Sequence, residues 1–213
     1  MLKSAIKEIL ETPVWVLLIA ATIFYLMGLF MFSQFVWSSD FYALYYKAET
    51  GFENYIGMVR NVDLFRYILS PIYIFSISGI AMGLILIGLT GHEIELENKL
   101  LFKIILIATF ILSLPLWVKS LWFVVIKGSY TMEEVKYFYP LSILYFFDSM
   151  ELHEKLVKAL GRLNIYHLAF MFFIAWCIKI YTNQPLVRLF GIVIYTYGLG
   201  LLLLQGIMII IFM

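Results

Sequence analysis

The chain has 213 residues, 63% of them hydrophobic, with a mean hydropathy of +0.95, 14% charged residues and a net charge of +1. An ordinary soluble domain is roughly 45–50% apolar, so a folded core alone cannot absorb this much apolar surface and a bilayer must solvate most of it. The near-neutral balance leaves no electrostatic case for nucleic acid or an acidic partner, and the single cysteine, Cys177, excludes an internal disulfide.

Residues 1–12, "MLKSAIKEILET", place Leu2, Ala5, Ile6 and Ile9 on one helical face and Lys3, Lys7, Glu8 and Glu11 on others. This pattern predicts a short amphipathic helix at the membrane surface, ended by Pro13. An apolar run of about 23 residues follows, over 14–36. It exceeds the ~7–15 residues of a signal-peptide core and has no small-x-small cleavage pattern after it, so a retained anchor is expected. A polar, tyrosine-rich loop is expected over 38–66, its rings suited to the interface.

The second span is expected at about 67–90, followed by the acidic-basic loop "HEIELENK". The third is expected at about 101–126, with Pro115 to kink it and Lys119 inside it. After "KGSYTMEEVK" comes "YFYPLSILYFFDS", residues 137–149. Thirteen residues rise only about 20 Å as a helix, against a hydrocarbon core of roughly 30 Å. The stretch is therefore expected to be a re-entrant or interfacial helix, with Pro140 in its first turn. A second amphipathic piece, "MELHEKLVKALGRLN", puts Leu152, Leu156, Leu160 and Leu163 on one face. Spans four and five are expected at about 165–181 and 189–213. The reading is an all-α integral membrane protein: a single domain of five transmembrane helices, with interfacial segments at 1–12 and 137–163. There is no internal repeat and no appended soluble domain.

Orientation is weakly encoded. Six Lys/Arg (Lys3, Lys7, Lys99, Lys103, Lys179, Arg188) fall on the side of the N-terminus, and eight (Lys47, Arg60, Arg66, Lys127, Lys136, Lys155, Lys158, Arg162) on the other. That bias points to an external N-terminus.

The second half resembles a known family. "PLSILYFFD" and the long run from "LVKALGRLNIYHLAF" to "YTYGLGLLLL", with Pro140, Leu141, Ser142, Leu163, Asn164, Ile165 and Tyr166, resemble the Yip-type (Rab-GTPase-interacting) multispan membrane family in its bacterial branch. "GLTGHEIELENKLLFKIILIATFILSLP" is similar to that family's second-to-third-span hairpin, so the resemblance covers about residues 67–213. It implies five spans, a cytoplasmic N-terminus in the bacterial inner membrane and an external C-terminus, and it outweighs the charge count. Eukaryotic members carry a long soluble N-terminal region; here about 13 residues precede the first span. Rab binding is therefore not carried over.

Candidate chemistry is sparse. His92 and Glu93, with Glu95 and Glu97, offer carboxylates and an imidazole in one loop, but no HExxH-like spacing supports a metal there. His153 and His167 lie in different elements; a proton relay stands against a histidine with one hydrogen-bond partner. Lys119 is read as snorkelling, with pairing to Asp148 as the alternative. Gly79-x-x-x-Gly83 permits close helix approach, within the chain or between two copies. Pro140, Ser142 and Asn164 mark the half-span segment and the start of the fourth span. No nucleophile elbow, P-loop or dinucleotide-binding glycine pattern occurs, so neither catalysis nor a cofactor is expected.

The expected function is a non-enzymatic scaffold or accessory subunit of a membrane complex. Its partners would be the lipid bilayer, other membrane subunits and a second copy of the chain. The alternative is a transporter, permease or channel component with a mid-membrane pathway lined by Ser76, Ser78, Ser113, Lys119, Tyr195 and Gln205.

Overall fold

The computed structural model describes residues 2–37, 52–147 and 152–212. These residues are helical with no strand, apart from an isolated antiparallel bridge between Ser142 and Asn164. In lipid a helix satisfies every backbone group within its own segment, which leaves it as the natural spanning element.

Helix α1 (Leu2–Glu11) buries Ile6 and Leu10. These residues join the same apolar cluster as Leu89, Ile94, Leu101, Ile178 and Leu189. Of the expected apolar face, Ile6 turns inward while Ala5 and Ile9 stay exposed. Helix α2 (Val14–Met31) continues through a π-helical turn at Phe32–Val36. It turns Leu17, Ala21 and Leu29 inward and leaves Trp15, Ile19, Ile23, Met27 and Phe30 exposed. An unbroken apolar stripe of that kind marks a lipid-facing surface.

Helix α3 (Phe52–Gly91) has 40 residues, about 60 Å at 1.5 Å per residue. The expected loop over 38–66 is corrected: the helix begins at Phe52, fifteen residues before the apolar run at 67. The polar turns carry no proline, and the i,i+3 pair Asp63–Arg66 at 3.2 Å supports them. Residues 38–51 lie outside the described part. Pro71 sits inside α3 without ending it. Helix α4 (Asn98–Leu121), extended by a π-helical turn to Lys127, buries Leu101, Ile104, Ile105 and Ala108. It is flanked by α2, α3 and the later helix Ile165–Tyr181.

A compact cap follows. Helix α5 (Met132–Tyr137) starts at a capping box: Thr131 accepts from the Glu134 amide and Glu134 accepts from the Thr131 amide. The chain then turns at Pro140 and Leu141, forms one 3₁₀ turn (Ile143–Phe146), and returns through α6 (Glu154–Arg162). Two expectations are corrected here. Residues 137–147 do not form one helix, and Pro140 lies in a turn, because backbone groups of this stretch bond across to 163–165 instead of along the chain: Ile143 N–H donates to Leu163 O at 2.8 Å and Ile165 N–H to Leu141 O at 3.0 Å. Helix α6 buries Val157, Ala159 and Gly161, with Leu156, Leu160 and Leu163 only partly covered.

Helix α7 (Ile165–Tyr181) runs back along α4 and α8 (Leu186–Val193). A π-helical turn (Ile194–Gly198) leads from α8 into α9 (Leu199–Phe212). Four helical stretches are long and apolar enough to cross a membrane: Val14–Val36, Asn61–Gly91, Asn98–Lys127 and Leu186–Ile207. Helix α7 is apolar but has 17 residues. The protein is thus an integral membrane protein by length and composition of its helices.

Helix direction alternates. One end of the bundle holds α1, the 92–97 loop and the 182–185 turn: Lys103 Nζ reaches Leu10 O at 2.7 Å, and Lys7 Nζ lies 5.9 Å from the Tyr181 ring centroid. The other end holds Val36, Phe123 and Val135 in one apolar cluster, together with α5 and α6.

Candidate functional site

The hairpin and the helices behind it form the most developed site. Asn164 begins α7: its Oδ1 accepts from the amides of Tyr166 at 3.1 Å and His167 at 3.3 Å, the usual asparagine N-cap. Opposite it, the Ser142 hydroxyl donates to Tyr139 O at 3.0 Å. Leu141 takes φ 54°, a left-handed conformation that costs a residue with a Cβ about 1–2 kcal/mol. The bridge to α7 on either side holds it there. Pro140, Ser142 and Asn164 are therefore brought together as one turn-and-cap unit.

Tyr139 ties that unit to the bundle. A Cβ on Gly161 would come within 2.4 Å of the Tyr139 ring, so the ring lies directly on the α6 backbone. The ammonium of Lys119 is 5.3 Å from the same ring centroid and 5.4 Å from that of Phe32, both within cation–π range. Among the described residues no carboxylate pairs with Lys119; Asp148, the partner in the alternative reading, lies outside them. On the outer surface Glu154 accepts from Lys158 at 2.8 Å and Lys136 at 3.1 Å. The bond from Lys158, then that from Lys136, lowers its pKa to about 2. Lys127 holds Glu134 at 2.6 Å and lowers its pKa likewise.

Behind the hairpin lies a groove of about 670 Å³ between α7 and the α8–α9 pair. Its wall is apolar, with Ser142, Asn164, His167 and Tyr195 as its polar members. His167 Nδ1 is 3.1 Å from the hydroxyl of Tyr197 on the π-helical turn. The histidine thus has one clear partner, as the simpler of its two readings expects.

The remaining candidates do not assemble. A Cβ at Gly79 or Gly83 would meet nothing within 4 Å. Packing of these glycines within the chain is therefore corrected: Ile74, Ser78, Ala81, Ile85 and Leu89 take the inward face of α3, and the two glycines point away from it. Besides Gly161, the glycines in close approach are Gly88 against Thr196 and Ile192, Gly200 against Leu84, and Gly28 against Trp117, whose indole donates to Phe24 O at 3.2 Å. His92 and Glu93 sit in the α3–α4 turn. No three His, Cys, Asp or Glu side chains among the described residues gather closely enough to hold an ion.

The six expected pathway residues are dispersed. Ser76 is exposed, Ser113 bonds Thr109 O at 3.1 Å, Lys119 sits among rings, and Ser78 and Gln205 are buried. Tyr195 is the member of this set that lines the groove. Sequence reasoning missed Tyr139 and Lys103, whereas Tyr197 stands in "YTYGLG" as a hydroxyl that needs a partner. The Thr131-x-x-Glu134 spacing was a legible signal; nothing comparable marks Tyr139 or Lys103. Comparison of the chain with family models, curated proteins and solved structures gives no match.

Proposed function

We propose that the chain is a five-span, non-catalytic membrane protein of Yip type that acts as a scaffold or accessory subunit of a membrane complex. Helix α7 is read as the fifth span: 17 residues lie at the short end of the spanning range, and the ends of α7 are level with the cap and with α1. The N-terminus is assigned to the cytoplasm of a bacterial inner membrane through the family resemblance. The 138–147 hairpin is read as a segment dipping into the leaflet opposite α1, its Leu141, Ile143, Tyr145 and Phe146 all exposed.

The observation that carries this reading is the dispersal of the polar groups within the helices. Thr90, Ser113, Ser120, Thr182 and Thr196 bond carbonyls of their own helices, so these hydroxyls are satisfied locally. That favours a packed scaffold over a transporter. The outward-facing Gly79 and Gly83 give a neighbouring helix room to approach, which supports a subunit of something larger.

Purification from native membranes in mild detergent, with mass spectrometry of what remains bound, tests the reading. The expected result is a small set of membrane proteins in stoichiometric amounts, reduced when Gly79 and Gly83 become leucine. Solute uptake by reconstituted protein that depends on Lys119 or Tyr195 would replace the scaffold with the transporter.

A further inference from the structure

We propose that the groove between α7 and α8–α9 is a specific site for one acyl chain of an ester-linked membrane phospholipid, whose ester carbonyl accepts a hydrogen bond from His167.

Three observations point to this occupant. The first is length. Along α8 and α9 the groove runs from Gly191 to Leu202, eleven steps or roughly 16 Å of helix. That is about half of a ~30 Å hydrocarbon core, the depth of one leaflet. Its deep end is at Gly191 and its other end is the hairpin. The second is size and continuity. A helix about 10 Å across advancing 1.5 Å per residue fills the groove's 670 Å³ with only some five or six residues, too few to seat a partner span. The groove wall passes without a break into the exposed Ile165, Leu168, Leu199 and Leu202 of the lipid-facing surface.

The third is one polar donor. Tyr197 is buried and its hydroxyl lies 3.1 Å from His167 Nδ1, where either atom can donate according to the imidazole tautomer. In the tautomer that accepts the tyrosine proton at Nδ1, which the proposal assigns, the neutral imidazole carries its own on Nε2. Nε2 has no partner among the described residues, and His167 lines the groove. It lies two residues past the start of α7, about 3 Å in from the cap, near where a phospholipid's ester carbonyls meet its chains. Among the described residues no charged side chain lines the groove, so these residues recognise ester and chain, not headgroup charge.

The inference rests on α7 crossing the bilayer. The test uses whole protein in vesicles of ester-linked phosphatidylcholine, doped with phosphatidylcholine carrying a mid-chain diazirine. Irradiation should label peptides 165–171 and 191–202 above the bulk labelling of the α2 stripe. Gly191→Phe fills the deep end, where a Cβ meets nothing within 4 Å. It should cut groove labelling about fivefold and spare α2; Ile87→Phe, on an exposed face of α3, should change neither. Wild type should retain ester-linked over ether-linked lipid by about three- to tenfold, and His167→Phe should remove that preference. Groove labelling unmoved by Gly191→Phe would overturn the site while leaving the spans in place. Labelling of α2 with none on α7 would overturn the crossing itself. Crosslinks from the groove to a second copy or another protein would overturn lipid as the occupant. None of these outcomes bears on which proteins co-purify.

Discussion

Lys103 donates to the carbonyl of Leu10 across 93 positions of sequence, at 2.7 Å, from a side chain only 9% exposed. The ammonium sits at the C-terminal end of α1, where unpaired carbonyls concentrate negative potential. It therefore fastens α1 to α4. Lys103→Met keeps the apolar stem and removes both the bond and the cost of burying the charge. We expect amide exchange over residues 5–10 to speed up at least about tenfold, with little change in the melting temperature of the bundle. Unchanged exchange there would show that Ile6 and Leu10 alone hold the helix.

Gly161 and Gly79 make a matched pair. Alanine at 161 meets the Tyr139 ring at 2.4 Å and should destabilise the protein by about 1–3 kcal/mol through overpacking. Alanine at 79 meets open space and should be neutral or stabilising by up to ~1 kcal/mol, from helix propensity. Denaturation of both variants in the same detergent decides it. Equal destabilisation would contradict the outward placement of Gly79.

Lys119 is expected to couple to Tyr139. A double-mutant cycle of Lys119→Met and Tyr139→Leu should give a coupling of about 1 kcal/mol. Proteolysis between 138 and 147 should rise in either single variant. A coupling near zero would mean that the lysine merely snorkels past the ring.

Acid should loosen the cap. The carboxyl of Glu154 has a folded pKa of about 2, against an ordinary 4.5. Because the folded value is the lower one, its contribution is present above pH 4.5 and is lost as pH falls through 2. Lys136 is shifted upward, chiefly by the same glutamate. Its contribution is complete below its ordinary 10.5 and is lost as pH rises through the higher folded value. Exchange protection of 156–162 should therefore fall at both extremes, and Glu154→Gln should flatten both limbs. These groups are exposed, so the effect should shrink in high salt.

Topology follows from alternation of the helices. In a Cys177→Ser background, cysteines at Glu134 and Lys158 should react with an impermeant thiol reagent from one side, and cysteines at Lys3 and Glu95 from the other. Labelling of 134 and 158 from opposite sides would make 137–149 a true span.

The sequence by itself determined that the chain is helical and membrane-embedded. Runs such as 14–36 and 101–126 are too apolar for water, and lipid requires their backbone bonds to close locally. It also marked local starts, Asn164 and Thr131-x-x-Glu134, because caps depend on near neighbours. It did not tell inside from outside. Helices α2 and α9 and the 67–91 part of α3 are apolar all round, so no periodicity separates a residue facing lipid from one facing protein. Only the tertiary structure decided that Gly88, Gly200 and Gly28 carry the close approaches while Gly79 and Gly83 face away. It alone decided that residues 139–147 bond across to 163–165 instead of coiling, that α3 reaches back to Phe52, and that Lys103 finds Leu10. Each of these depends on a partner distant in sequence or on packing around the bundle, and hydropathy carries no record of either.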